Sequence, residues 1–360
     1  MNSASCSTGA RIVDARLVET EVALRRPLRS ANGIVTTRRV RVLRLAADDG
    51  VAGLGEASLV DWLALRDGAG DDGVAATLVE RIRADQPPAA TLMAWSLDVS
   101  RPAALRSALQ TALLDLDARR RGLSLAALLG ADASCTAVPV SALVGDDAPD
   151  AMAREAAGLV SRGIASFKVK VGRPALDDDV ARVAAVRGAI GPSARLRLDA
   201  NGAWGLGAAK AALEALAPFG AEFVEEPLAD PAALARLASP IPVALDESIA
   251  TPASLEAALR RGGFAALVLK LERVGGPLAA LSMADRAARA GIRFVLTDSI
   301  EGPVGRAATA HVAAAAAARS SAALEPVGLG GLFLLAGGGP PVAAFAIDRP
   351  GLGVDTGAAA

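Results

Sequence analysis

Apolar and polar residues alternate with a period of two along residues 11–24 (RIVDARLVETEVAL) and again along 38–58 (RRVRVLRLAADDGVAGLGEAS). This period puts successive side chains on opposite faces of a strand, and the DDG at 48–50 supplies a hairpin turn. The stretch between them, LRRPLRSANGIVTT (24–37), is polar and punctuated by Gly and Pro, so it reads as a loop able to fold over a site as a lid. The period then becomes helical. In ALRSALQTALLDLDARRRG (104–122), Leu109, Ala112, Leu113 and Leu116 share one face, and Gly122 is placed to end the helix. Strands first and helices later predict an α+β unit.

After about residue 136 short apolar runs alternate with Ala/Leu/Arg-rich amphipathic stretches. Eight strands are expected, at 138–144, 167–171, 195–199, 222–226, 242–246, 266–270, 292–297 and 323–327. Strand followed by helix, repeated eight times, predicts a TIM-type (β/α)7β barrel. An open doubly wound sheet competes with it, but no Gly-rich dinucleotide fingerprint follows any of the strands. The expected organisation is an α/β chain with an α+β capping domain at 1–135 and a catalytic barrel at 136–335, the C-terminal stretch 336–360 returning to the cap.

Composition narrows the possibilities. The chain carries 38 basic and 39 acidic residues with no long run of either sign, which argues against nucleic acid and anionic membranes as partners. Cys6 and Cys135 form neither a disulfide framework nor a metal motif, which fits a reducing cytoplasm. The N-terminus lacks a signal-peptide pattern, and charged residues, Gly or Pro interrupt the apolar runs before they reach spanning length. A soluble cytoplasmic protein acting on a small molecule is expected, with its oligomeric state left open.

The candidate chemistry lies at the strand ends. In FKVKVG (167–172) the period of two puts Lys168 and Lys170 on the face that a barrel turns inward. The later strands end in Asp199, Glu225, Asp246 and Lys270, separated from Lys170 and from one another by 29, 26, 21 and 24 residues. Each therefore comes from its own βα unit, and in a barrel all of them converge on the C-terminal face. Taken singly, a strand-end lysine reaches solvent, LDES caps a helix and EEP makes a turn. Five in succession carry the functional reading. Three carboxylates with no His or Cys among them suit Mg²⁺, with Mn²⁺ as the substitute. A divalent cation near Lys170, with the like charge of Lys168 beside it, disfavours the protonated lysine and makes it a usable base. Removal of a proton next to a carboxylate, through an enediolate, is the reaction class these parts fit.

The set Lys168-Val-Lys170, Asp199-Ala-Asn201-Gly-Ala-Trp, Glu225-Glu-Pro, Asp246-Glu-Ser and Val-Leu-Lys270 followed by Gly275-Gly276 resembles the enolase superfamily and, within it, the muconate lactonizing enzyme subgroup. The resemblance covers nearly the whole chain, including RRRGLSLAALLG at the end of the cap helix. DANGAW, GLGG (328–331) and RPGLGVD bring it nearest to the o-succinylbenzoate synthases of menaquinone biosynthesis. The resemblance implies Mg²⁺ held by Asp199, Glu225 and Asp246, Lys170 as acid and base, and Lys270 opposite as a stabilising cation. Lys168 and Asn201 support the site, and Glu247 stands beside the metal cluster. The implied reaction is syn dehydration of 2-succinyl-6-hydroxy-2,4-cyclohexadiene-1-carboxylate, a carbon–oxygen lyase step.

Two lysines on opposite faces serve N-acylamino acid racemization equally well, and muconate-type cycloisomerization is a further alternative. His311 is the sole histidine and is expected to be a packed or surface residue of the alanine-rich helix after strand seven, which leaves no His/Asp dyad of the mandelate racemase kind. The run Thr297-Asp298-Ser299-Ile-Glu301 departs from the serine pair usual in the subgroup, and the roles of Asp298 and Glu301 stay open. No Asp-x-Asp follows the eighth strand, which counts against dipeptide substrates. A non-catalytic barrel is disfavoured because all five strand-end groups are present.

Overall fold

The computed structural model describes residues 10–30, 33–58, 72–145 and 148–359. Cys6 and residues 31–32 of the anticipated lid lie outside them. The first unit is a three-stranded antiparallel sheet of β1 (Ile12–Ser30), β2 (Gly33–Ala47) and β3 (Ala52–Glu56). Helices α1 (Asp72–Asp85), α2 (Ala89–Leu97) and α3 (Ala103–Arg120) accompany it, followed by the short α4 (Leu125–Leu128).

The stretch expected to be a lid loop is largely strand. β1 and β2 stay paired from Ile12↔Ala47 out to Ser30↔Gly33, interrupted by a register shift between Ala23 and Leu28. Pro27 sits in that irregularity, where its missing N–H costs no ladder bond. The arginines of this hairpin anchor it to the second unit. Arg26 makes a fork to both oxygens of Glu155 at 2.6 Å, and Arg25 donates to the carbonyls of Leu335 and Gly339 at 3.1 and 2.7 Å.

Helix α3 shows why a one-faced helix was too simple an expectation. Leu109, Ala112, Leu113 and Leu116 are buried as their spacing predicts, yet Asp115 and Asp117 are buried as well. The Asp115 carboxylate accepts the N–H groups of Leu54 and Leu352 at 2.8 and 2.7 Å and pairs with Arg119. It therefore ties the cap sheet and the C-terminal segment to one helix. β3 can lie directly on that helix because of Gly55, where an added Cβ would stand 1.8 Å from the Ala108 carbonyl oxygen.

The second unit winds eight parallel strands in chain order: β4 (Ala137–Leu143), β5 (Ser166–Lys170), β6 (Arg195–Asp199), β7 (Phe223–Glu225), β8 (Val243–Leu245), β9 (Ala266–Leu269), β10 (Arg293–Leu296) and β11 (Val327–Gly328). The last lies at the end of the expected 323–327 segment, because the ladder is reached only at Val327↔Val140. A bridge between Thr297 and Gly328 joins β10 to β11 and closes the circuit. Gly328 permits it, since a Cβ there would come 2.7 Å from the Thr297 methyl.

The outer layer holds α5 (Pro149–Val160), α6 (Leu176–Ile190), α7 (Leu206–Leu216), α8 (Pro252–Arg261), α9 (Leu271–Val274), α10 (Pro277–Arg289), α11 (Pro303–Ser320) and α12 (Gly330–Leu334). Between β7 and β8 the strand–helix rhythm lapses into a 3-10 turn at Pro231–Arg236, in a stretch interrupted by prolines. No helix among the described residues is long and apolar enough to cross a membrane.

β6 condenses the barrel logic into five residues. Leu196 and Leu198 are fully buried against the helices, while Arg195, Arg197 and Asp199 share the other face. At one end Arg197 is held by Glu222, Glu325 and the Pro326 carbonyl, and at the other Asp199 enters the site described below. The C-terminal segment first adds β12 (Ala344–Ala346) antiparallel to β4, then reaches the cap through Gly351 beside Ser124.

His311 lies in α11, as expected, and is a buried rather than a surface residue of it. Its Nδ1 accepts the Ala126 N–H at 3.0 Å, and burial pushes the ring down to about 4, against the opposing pull of the Leu352 carbonyl and Asp348. The folded value lies below the ordinary 6.5, so on acidification the unfolded chain takes the proton first. This stabilisation is complete above pH 6.5 and is lost as pH falls through about 4. Chemical denaturation across that window should cost the wild type about 3 kcal/mol more than His311→Gln. Equal losses in the two proteins would contradict it.

Candidate active site

Alternation in β5 buries Phe167 and Val169 against the helices and turns Lys168 and Lys170 into the barrel mouth. Their side chains keep 17% and 14% of their surface, so the two like charges need partners. Asp199 supplies the common one: its Oδ2 is 2.8 Å from Lys168 Nζ and 3.2 Å from Lys170 Nζ. Lys168 Nζ also donates to Glu225 Oε2 at 2.6 Å, bridging the carboxylates of β6 and β7. On β8's end, Asp246 receives Lys270 on one oxygen and Arg273 on the other.

Parallel register explains this convergence. Lys170 pairs with Asp199 and Asp199 with Glu225, so the strand ends are level. Lys270 follows β9, the sixth strand of eight, and Lys170 ends the second; these strands face each other across a closed eight-strand barrel.

Asn201 follows Asp199 with φ at +46°, a left-handed conformation that Asn tolerates better than most residues. That turn aims its Oδ1 at Lys170 Nζ, while its Nδ2 donates to Glu247 Oε1 at 2.9 Å. Glu247 therefore acts on the site through Asn201. Seven of the eight residues singled out in the sequence line one pocket, and the eighth, Asp246, pairs with Lys270 of that lining.

The electrostatics are those of a withdrawn acidic cluster. Asp199, Glu225 and Asp246 are each at most 1% exposed. Burial raises Glu225 to about 7, and the charges of Asp199 and Asp246 push the same way against the pull of Lys168. Burial opposes ionisation of Asp199 and Asp246 too. Lys168 and Lys170 outweigh it for the first, Arg273 and Lys270 for the second, so both are held below the usual carboxylate range. Burial works against the Lys168 charge, but Asp199 and Glu225 outweigh it and raise its pKa. Lys168 is therefore a fixed cation here. It shares a carboxylate with Lys170, a pairing that an argument from like-charge repulsion alone overlooked.

Among the described residues, no three acidic, His or Cys side chains converge into a preformed cation cage. The oxygens of Asp199, Glu225 and Asp246 instead face ammonium and guanidinium groups. The donor set fits a hard divalent ion: three buried carboxylates on adjacent strands, one of them raised by burial and by its neighbours' charge. Asp199, Glu225 and Asp246 would hold it once Lys168 turned aside.

A pocket opens on this network, and Leu28, Val35, Leu143 and Ile300 form its apolar part. Sequence reasoning missed two contributors, Arg273 on Asp246 and Arg38, and left the roles of Asp298 and Glu301 open. Arg38 lies between two strand residues of unremarkable pattern, and only the assembled structure brings it to the barrel. Asp298 and Glu301 are spent on backbone. Asp298 accepts N–H groups of Ile300, Gly330 and Gly331 at 3.2, 2.7 and 3.0 Å, and Glu301 accepts that of Ser299 at 3.2 Å. Ile300 has φ at +62°, which for a β-branched residue costs about 1–2 kcal/mol.

Residues 151–359 match the family model for the enolase C-terminal domain-like fold, and residues 12–130 match that for the mandelate racemase/muconate lactonizing enzyme N-terminal domain. The chain belongs to the enolase superfamily. Muconate cycloisomerase 1 of Pseudomonas putida is 30% identical over 83% of this chain and 82% of its own length. The o-succinylbenzoate synthase of Thermobifida fusca is 41% identical over 46% of this chain, a match spanning about half (53%) of that protein. The solved dipeptide epimerase of Cytophaga hutchinsonii, complexed with Mg and D-Ala-L-Val, superposes with a TM-score of 0.78 at 27% identity, covering 89% of this chain and 87% of that one. This member of the superfamily is an enzyme of the muconate-lactonizing type.

Asp246 is fully buried between two cations. In chelator-treated protein, Asp246→Ala should lower stability by about 3–5 kcal/mol, because it strands both of them. An unchanged unfolding midpoint would show that the pairing is not what holds Lys270 and Arg273 in place.

Proposed function

We propose that this enzyme is an o-succinylbenzoate synthase, catalysing Mg²⁺-dependent syn dehydration of 2-succinyl-6-hydroxy-2,4-cyclohexadiene-1-carboxylate in menaquinone biosynthesis. The observation that carries the reading is the pair of lysines from facing strands, set about three buried carboxylates. The 41% identity to the T. fusca synthase over 46% of this chain supports this reaction. The pocket supports it further: an apolar wall suits a ring, and the carboxylates of Asp298 and Glu301 are occupied by backbone N–H groups rather than free for a substrate ammonium.

Lys170, as the neutral amine, removes the proton next to the substrate carboxylate; the C–H pair becomes a C=C bond to the carboxylate carbon, whose C=O pair moves onto oxygen to give the enediolate. The same Nζ then returns its proton to the departing hydroxyl on that face, so the C–O bond breaks and water leaves. Asn201, itself fixed by Glu247, sets the direction of Nζ. Lys270 remains protonated on the other side and offsets the developing negative charge. Bound by Asp199, Glu225 and Asp246, Mg²⁺ would supply further positive charge for that enediolate.

A second reading is N-acylamino acid racemization. It draws on the like treatment of the two lysines, each held by one of the buried strand-end carboxylates, Asp199 for Lys170 and Asp246 for Lys270. Two assays separate the readings: loss of diene absorbance with the cyclohexadiene carboxylate, and optical rotation with N-succinyl amino acids, each with Mg²⁺. Fast, chelator-sensitive dehydration with weak racemization is expected, and racemization without dehydration would move the function to the second reading. Lys170→Ala should lower dehydration at least about 100-fold. Retention of most activity would remove Lys170 from the base role.

A further inference from the structure

One wall of the pocket is the segment Thr297–Ile300, and the capping domain holds it from outside. Arg38, on β2, is 3% exposed. Its Nε donates to the Ile300 carbonyl at 3.2 Å, and its Nη2 donates to the Ser299 carbonyl at 3.1 Å and to the Ser58 carbonyl. One planar fork therefore links the cap to two successive carbonyls of the barrel wall. The segment it holds would not adopt its shape unaided: Ile300 is β-branched and left-handed, with its N–H taken by Asp298. In that conformation Ile300, like Val35 of the cap hairpin, packs against the apolar cluster that includes Leu28, and all three line the pocket.

We propose that Arg38 is a positioning residue that fixes Ile300 in its left-handed conformation and so sets the apolar wall selecting the substrate group remote from the reacting carboxylate. The proposal rests on reading this pocket as the substrate site. Arg38 touches no reacting atom; it acts through Ile300. Lysine at this position offers a compact point charge without the fork, so Arg38→Lys should restore part of what Arg38→Met loses. Ile300→Gly removes both the side chain and the strain, and supplies a variant in which the clamp has nothing left to position.

The test follows α-proton exchange in D₂O with Mg²⁺ on two probes differing only in apolar size, N-succinyl-L-alanine and N-succinyl-L-phenylalanine. Ile300→Gly should shift the wild-type preference between the probes about tenfold, through KM rather than kcat. Arg38→Met should shift it in the same direction, and the double variant should match Ile300→Gly alone. An Arg38→Met effect equal on both probes, or one that adds to Ile300→Gly, overturns the proposal.

Hydrogen exchange read by mass spectrometry tests the clamp without turnover. Amides in residues 297–302 should exchange faster in Arg38→Met while those of β6 stay unchanged. Unchanged exchange in 297–302 overturns the proposal whatever the substrate. Faster exchange there, in an enzyme that turns over neither probe nor the cyclohexadiene carboxylate, leaves the clamp standing and removes the proposed function.

Discussion

Three carboxylates at the ends of β6, β7 and β8 are almost wholly withdrawn from water, and ionised groups in that position are unstable unless cations stand against them. The chain meets this with Lys168, Lys170, Lys270 and Arg273, drawn from the strands and loops on either side. The balance is incomplete at Glu225, which burial and its acidic neighbours raise to about 7. Four cations thus face three carboxylates, but Lys168 is shared between Asp199 and Glu225, which leaves Glu225 the least neutralised of the three. The lysines that hold the carboxylates in place are also the groups a proton-abstracting enzyme needs.

The barrel alone does not complete the pocket. The cap hairpin reaches over with Leu28 and Val35, fixed by Arg25 and Arg26, and Arg38 at its root grips the wall after β10. Glu56, at the end of β3, accepts N–H groups of Gly302 and Gly305 at the start of α11. The join between the units is thus charged and buried, with Glu272 and Glu301 both raised by burial and by neighbouring carboxylates. Such a join is sensitive to single losses, and it makes the cap part of the site's geometry rather than a separate cover.

What the sequence made legible was what depends on period and spacing. The period of two in FKVKV set both lysines inward, and the regular spacing of strand-end charges put them in one mouth. RLRLD was read at its observed limits, 195–199, because Leu196 and Leu198 alternate with polar residues. What stayed hidden depends on contacts between distant segments. Residues 24–37 look like a loop because Pro27 and Gly33 interrupt them, yet pairing with each other carries the strands through. Asp115 and Arg38 resemble surface charges until the tail and the β10 loop arrive beside them, 237 and 261 residues away. The roles of Asp298 and Glu301 stayed open because the backbone amides that their oxygens hold are set by the fold of the loop.

The proposed chemistry depends first on Asp199, Glu225 and Asp246 holding a divalent cation. Electron paramagnetic resonance of Mn²⁺ titrated into the protein measures it directly, without any substrate. One bound Mn²⁺ per chain is expected, displaced by Mg²⁺ and lost in Glu225→Gln. Absence of bound Mn²⁺, or binding that survives the substitution unchanged, would contradict it.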